Sequence, residues 1–226
     1  MDAEVRGSRR AERTRGALIA AGRRLFCDRP IDAVTVDTIV QMAGVAKGSF
    51  YNHFADRETL VRAISAEIRA GVELAIDRAN TDIKDPARRV ARACCIYLRF
   101  ALDEPERAGF LVRIHSGHTS LEAPLNRGLV DDISQGLATG RFRVATLQAG
   151  VLYVLGVNQI ALAQIVQEPS ATVAVGLAQQ LCAMMLSGLR VPDMDADLIA
   201  AQASDEIVRA GAYAAAFPEP QVTNPC

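Results

Sequence analysis

The sequence predicts an all-α protein in two parts, a small N-terminal unit of three helices and a larger helical body. Three observations lead there. Residues 35–54 read as two short helices joined by a turn at Gly44. Leu60, Ile64, Ile68, Val72 and Ile76 recur at every fourth position, the spacing of one long helix. Two stretches, 144–167 and 169–189, contain no charged residue, as helices buried on nearly every side do. With 226 residues, half of them hydrophobic, the chain is long enough for a sizeable core and is not globally disordered.

Residues 1–12 carry Arg6, Arg9 and Arg10 in a polar, glycine-containing stretch, expected to be a flexible basic arm. The first helix follows over about Arg15 to Cys27. Leu18, Ile19, Ala21, Leu25 and Phe26 form its apolar side, and Arg13, Arg15, Arg23 and Arg24 its polar side. Pro30 ends it, and Thr35 is placed to cap the next helix, in which Val36, Ile39, Val40 and Ala43 recur at i, i+3, i+4 and i+7. Gly44 supplies a left-handed residue without a Cβ penalty, and Val45 seals the turn from inside. Phe50 and Phe54, four apart, give the third helix its buried stripe. At 100° per residue, Lys47, Gly48, Tyr51 and Asn52 then fall on the opposite face, with Ser49 and His53 on its flanks. This is the layout of a helix-turn-helix, whose second helix enters the major groove of double-stranded DNA. The free face has the cationic, amide, hydroxyl and aromatic groups that such a contact needs.

Asp56 and Glu58 mark the start of a fourth helix that runs to about Arg78. After a polar break at 80–86, a fifth amphipathic helix reaches about Leu102, with Val90, Cys94, Tyr97 and Ala101 on one stripe and Arg92 and Arg99 opposite. A short helix over 104–114, a loop over 116–120 and a helix over 126–139 ending at Gly140 complete the middle. The charge-free pair at 144–167 and 169–189 is long enough for a membrane hairpin. Gln148, Asn158, Gln159, Gln164, Gln179 and Gln180 interrupt it, however, so it is read as two antiparallel helices covered on one side by their own domain and on the other by a partner subunit, with no membrane. Asp193, Asp195 and Asp197 open a last helix to about Ala216 that includes Tyr213, and three prolines after Phe217 leave a disordered tail over 217–226.

The overall charge is −1, but it is divided. Residues 1–62 hold 11 Lys and Arg against 8 Asp and Glu, net +3, and the remainder holds 14 against 18, net −4. A basic head on an acidic body fits a specific DNA contact with little non-specific binding. The N-terminus is polar and arginine-rich rather than a signal peptide, and the five cysteines show no zinc spacing, so a cytoplasmic protein with reduced thiols is expected. Cys94 reads as core packing, because adjacent cysteines on a helix point about 100° apart. His115 and His118 read as loop residues rather than metal ligands. No nucleophile elbow, phosphate loop or HExxH is present, so neither a catalytic residue, a metal nor a cofactor is assigned.

The combination of the first helix, Thr35, Ile39, Ala43-Gly44-Val45, Lys47-Gly48, Tyr51, His53-Phe54 and Leu60 resembles the tetracycline-repressor (TetR) family of bacterial transcriptional regulators over about residues 13–62. Pro30, Ala46, Asn52 and Arg57 depart from the family's usual residues, and with Asn52 on the reading face the operator cannot be borrowed from relatives. The resemblance implies a helix-turn-helix domain at 13–57, then a helical ligand-binding and dimerisation domain at 58–216. Lys47, Tyr51, His53 and Arg57 would hold phosphates. Ser49, Asn52 and the backbone at Gly48 would read bases, and Thr35 or Val36 would touch the flanking backbone. It further implies a homodimer through the helices at 144–167 and 169–189, and a repressor released from a near-palindromic operator by an unidentified small-molecule effector. Val90, Cys94, Tyr97 and Ala101 would line one wall of the effector pocket, with Phe110, Arg113 or Asn158 as contacts, and helix four would act as the lever. The alternative is a helical binding protein or enzyme that has kept the fold without regulating transcription.

Overall fold

The computed structural model describes residues 2–114 and 120–211, with side chains from residue 8 onward. His115, His118, the 116–119 loop, the end of the last predicted helix with Tyr213, and the tail at 217–226 lie outside these residues. Ten α-helices and no strand are found among the described residues: α1 (Asp2–Asp28), α2 (Val36–Ala43), α3 (Lys47–Tyr51), α4 (Arg57–Ala79), α5 (Pro86–Asp103), α6 (Pro105–Arg113), α7 (Arg127–Ala138), α8 (Leu147–Gln167), α9 (Ala171–Gly188) and α10 (Asp193–Ala203). The chain divides into two compact units between Ile68 and Arg69, inside α4.

In the N-terminal unit the helix ends follow from local chemistry. The Thr35 side chain accepts from the Thr38 amide at 3.2 Å, and Gly44 closes α2 with φ 67° and ψ 32°. Asp56 caps α4 by accepting from the Thr59 amide at 2.7 Å. Leu18, Phe26, Ile39, Phe50, Leu60, Ile64 and Ile68 are fully buried, so the first three turns of α4 belong to this core. That is why the unit ends at Ile68 and not near Arg57, where the sequence-based boundary falls. Gly22 is part of the same fit, since a Cβ there would come within 2.9 Å of the Leu60 side chain. The expected arm over 1–12 differs more. Helix α1 begins at Asp2, because the Ala, Glu and Arg of this stretch are good helix formers and no proline interrupts them before residue 30.

In the C-terminal unit α5 is the central helix. It packs against α6, α7, α8, α9 and α10, and Ala87, Val90, Ala91, Cys94, Cys95, Ile96, Leu98, Phe100 and Ala101 are all buried. Asp85 caps α5 and also pairs with Arg141, whose other ion pair is with Asp195 at the start of α10. Gly136 lets the ring of Phe142 lie on α7, where a Cβ would stand 2.0 Å from the ring. Tyr153, early in α8, donates to the carbonyl of Met184, late in α9, so the two run antiparallel as the sequence predicts. After α10 the helix widens to a π turn over Ser204–Arg209, with the Ala210 amide donating to the Asp205 carbonyl. Arg92 and Arg99 on α5 hold this segment, Arg92 by pairing with Glu206 and Arg99 by donating to the Val208 carbonyl at 3.1 Å.

Candidate DNA-reading face and effector cavity

Helix α3 has only five residues, and packing rather than length holds it. Phe50 is fully buried, edge-on to Tyr51 at 5.4 Å and tilted against Phe54 at 5.8 Å. Arg15 of α1 lies 5.5 Å over the Phe54 ring. This leaves Lys47, Gly48, Tyr51 and Asn52 exposed together, with Ser49 and His53 half-buried at the edges, as the 100° rotation predicts. Tyr51 is 54% exposed, unusual for a tyrosine backed by a phenylalanine, and the space above Gly48 is open. Thr35 is exposed, but its hydroxyl is engaged as the cap of α2, and Val36 is half-buried behind it. Lys47 forms an exposed ion pair with Asp37 of α2 at 2.7 Å, and the Asp37 carboxylate raises its pKa.

Arg57 does not join this face as a free cation. Its guanidinium donates to the carbonyls of Ile31, Asp32 and Val34 and pairs with the carboxylates of Asp32 and Glu58. It therefore clasps the connection between α1 and α2 to the start of α4. A planar group with five donors can hold three carbonyls at once, which a lysine cannot. Arg57→Ala is expected to lower the melting temperature of the N-terminal unit by removing charge-assisted bonds worth about 1.5–3 kcal/mol in total after solvent screening. A variant that melts like the wild type while losing DNA affinity would restore the phosphate role instead.

The C-terminal unit encloses a cavity with ≈ 500 Å³ of empty space, part of it open to solvent. Its apolar wall is Ile76, Val90, Leu129, Val154 and Leu155, and its polar wall includes Arg69, Glu73, Asp132 and Asn158. Of the predicted effector contacts, Val90, Tyr97 and Asn158 line it. Cys94, Ala101, Phe110 and Arg113 do not. The face that α5 turns to the cavity is Arg89, Val90, Ala93 and Tyr97, whereas Cys94 points into the core towards Cys182, which raises its thiol pKa together with burial. Ala101 and Phe110 are fully buried, and Arg113 lies beside Gly109. A helix buried on every side has no unique apolar stripe, so periodicity could not tell which side met the cavity.

Of the polar wall the sequence reading names only Asn158, although Arg69 and Glu73 stand four apart within the apolar repeat of α4, a visible signal. Arg69, 8% exposed, donates to Asn126 Oδ1 at 2.9 Å through one terminal nitrogen, while the other, Nη1, has no partner. Tyr97 donates to Glu73 at 2.7 Å, and Arg89 pairs with Asp132. Asn158 Oδ1 is buried without a hydrogen bond. Burial raises the Glu73 pKa, opposed by the bond from Tyr97 and the charge of Arg69 and reinforced by Asp77. Between its ordinary value and the raised one the folded state keeps a proton that the unfolded state has lost, so stability falls as pH rises through that window. The melting temperature of wild type relative to Glu73→Gln should therefore drop on going from pH 4.5 to 7. An unchanged difference would remove the argument.

Known proteins share this arrangement. A family model described as bacterial regulatory proteins, tetR family, matches residues 18–64, and one described as a tetracyclin repressor-like C-terminal domain matches residues 85–202. The HTH-type transcriptional repressor BepR of Brucella suis biovar 1 (strain 1330) is 28% identical over 104 residues, 45% of this chain and 50% of that protein, so the chain spans half the length of this curated relative. Among solved structures, RolR in complex with resorcinol matches with a TM-score of 0.71 and 28% identity, covering 86% of this chain and 96% of that one. RolR without ligand gives a TM-score of 0.67 at the same 28% identity, over 82% and 95%. One of the two family models alone spans more than half of the sequence and the other covers the helix-turn-helix, so the chain belongs to the TetR family of bacterial transcriptional regulators.

Proposed function

We propose that the protein is a cytoplasmic transcriptional repressor that binds a near-palindromic operator as a homodimer and releases it when a small molecule fills the cavity of its C-terminal unit. It acts by binding rather than by turnover. The observation that carries the reading is the α3 face, where Lys47, Gly48, Tyr51 and Asn52 stand exposed over buried Phe50 and Phe54. Lys47, Tyr51 and His53 hold phosphates, Ser49, Asn52 and the Gly48 backbone read bases, and Thr35 and Val36 meet the flanking strand. Two such helices separated by about one helical turn, roughly 34–36 Å, would read two half-sites.

The dimer forms through α8 and α9. Leu152, Tyr153, Ile160, Val173 and Met184 on this pair are exposed, with Ile160 at 71% and Met184 at 67%. Both helices are also long and apolar enough to cross a membrane, and only 33% and 28% of their apolar windows are buried within the chain. A second copy is the preferred cover because members of the family act as dimers. Helix α4 supports the lever, since it follows α3 directly, is tied at its start to the connection between α1 and α2, and carries Arg69 and Glu73 into the cavity wall. Effector binding shifts the spacing of the reading helices only in so far as the effector prefers one arrangement. RolR, which is similar over most of the chain, binds resorcinol, and the mixed apolar and hydrogen-bonding wall here suits a hydroxylated aromatic as well.

The test is binding to labelled genomic fragments, the promoter beside the protein's own gene included, at fixed salt. Selective binding that Tyr51→Ala reduces strongly is the expected result. A folded dimer that shows no selective binding would end the repressor reading.

A further inference from the structure

The two unpartnered atoms of the cavity are of opposite kind. Arg69 Nη1 is a donor on α4, and Asn158 Oδ1 is an acceptor on α8; both are buried, both belong to residues of the same cavity, and neither makes a well-formed hydrogen bond within the protein, although the Tyr97 hydroxyl lies beside the Arg69 guanidinium. Buried polar groups are nearly always hydrogen-bonded, and leaving two in one cavity is costly unless something else satisfies them. Of the remaining polar groups Asp77 is exposed, and the others are already committed. Arg89 serves Asp132 and the carbonyls of Asn80 and Ile83, and Glu73 takes the Tyr97 hydroxyl. The cavity therefore asks for one acceptor and one donor, set against an apolar wall of Ile76, Val90, Leu129, Val154 and Leu155.

Charge narrows the class. Glu73, Asp77 and Asp132 line the cavity against Arg69 and Arg89, and Arg89 is paired with Asp132. An anionic compound would meet two further carboxylates with one arginine to receive it, and a cationic one, having no acceptor to offer, would leave Arg69 Nη1 unanswered. A hydroxyl is neutral and both gives and accepts a hydrogen bond.

We infer that the ligand of this cavity is a small, neutral, hydroxyl-bearing compound with an apolar body, held by donation to Asn158 Oδ1 and by acceptance from Arg69 Nη1. The inference rests on the cavity being the effector site and goes beyond it by naming the two groups that select the ligand. Arg69 is the first residue of the C-terminal unit and lies on α4, so one of the two selecting contacts is made to the helix that continues into the DNA-binding unit.

Calorimetric titration of the full-length protein with three probes tests it. Resorcinol should bind. 1,3-Dimethoxybenzene accepts but cannot donate, and should bind about tenfold more weakly or worse, because Asn158 Oδ1 stays unpaired. 3-Hydroxybenzoate should be weakened to a similar degree, about tenfold, by the surrounding carboxylates. Asn158→Leu, checked for folding by circular dichroism, should bring resorcinol down to the level of the dimethoxy compound; if it does not fold, the three probes on the wild type decide. Equal or tighter binding of 1,3-dimethoxybenzene or 3-hydroxybenzoate, or no binding of resorcinol at millimolar concentration, would overturn the inference. Operator binding measured on the same preparations separates the two readings. Release of the operator by a hydroxyl-free compound would overturn this inference and leave the repressor standing, whereas absence of operator binding would remove the repressor while the titrations still decide the ligand chemistry.

Discussion

Ile160→Asp should give a subunit that folds but no longer dimerises, with operator affinity reduced by a factor of about 10²–10⁴ because the second half-site contact is no longer intramolecular. Ile160 is the most exposed large apolar residue of α8, and within the subunit its side chain supports little, so the monomer should tolerate the change. At a two-fold interface each substitution occurs twice, and two carboxylates would have to be buried without partners, at several kcal/mol apiece. Sedimentation velocity at micromolar protein, with circular dichroism to confirm helicity, checks the first part, and a gel shift on a selected operator the second. A variant that sediments as a dimer would move the interface away from α8 and α9.

The other large effect is expected at Phe50. Phe50→Ala removes a fully buried ring that touches the rings of both Tyr51 and Phe54, and such truncations cost about 3–5 kcal/mol. Against a total stability of about 5–15 kcal/mol for a domain, and with α3 too short to persist alone, the N-terminal unit should lose its reading helix at ordinary temperature. The C-terminal unit has its own core around α5, so calorimetry should show an early transition separated from a nearly unchanged later one. DNA binding should vanish, while the cavity should keep whatever affinity for resorcinol the intact protein has. A single transition lowered as a whole would mean that the two units unfold together.

What could be read from the sequence was what is decided locally. Thr35, Gly44 and Asp56 announce their helix ends because a cap or a left-handed residue needs only its neighbours, and the sides of α3 follow from the offset between Phe50 and Phe54. The charge-free pair was legible for the same reason, as composition alone marks α8 and α9. The clasp made by Arg57 is not legible, because its partners Ile31, Asp32 and Val34 sit more than twenty residues away, and nothing local separates an arginine that holds carbonyls from one that waits for phosphate. The cavity was half legible. Val90, Tyr97 and Asn158 were among its expected contacts, but the rotation of α5, which sends Cys94 to Cys182, depends on which of five neighbouring helices lies where. Leu125, Asn126 and Asp132 come from the turn and helix after the 115–119 segment, and no periodicity points them at α4.

The pair between Lys47 and Asp37 has a consequence for how tightly ions govern operator binding. A lysine that waits free in water displaces a condensed counterion when it reaches a phosphate, and each such event adds nearly one to the slope of log affinity against log salt. Lys47 comes already neutralised by a carboxylate 2.7 Å away. On the proposed phosphate contact the duplex would have to take it from Asp37, which would then be left facing the backbone. Asp37→Asn should therefore steepen the salt slope by about one and strengthen binding most at low salt. The intact pair should make the protein less sticky on arbitrary DNA, and on the proposed contacts more of its preference for an operator would then depend on Ser49 and Asn52.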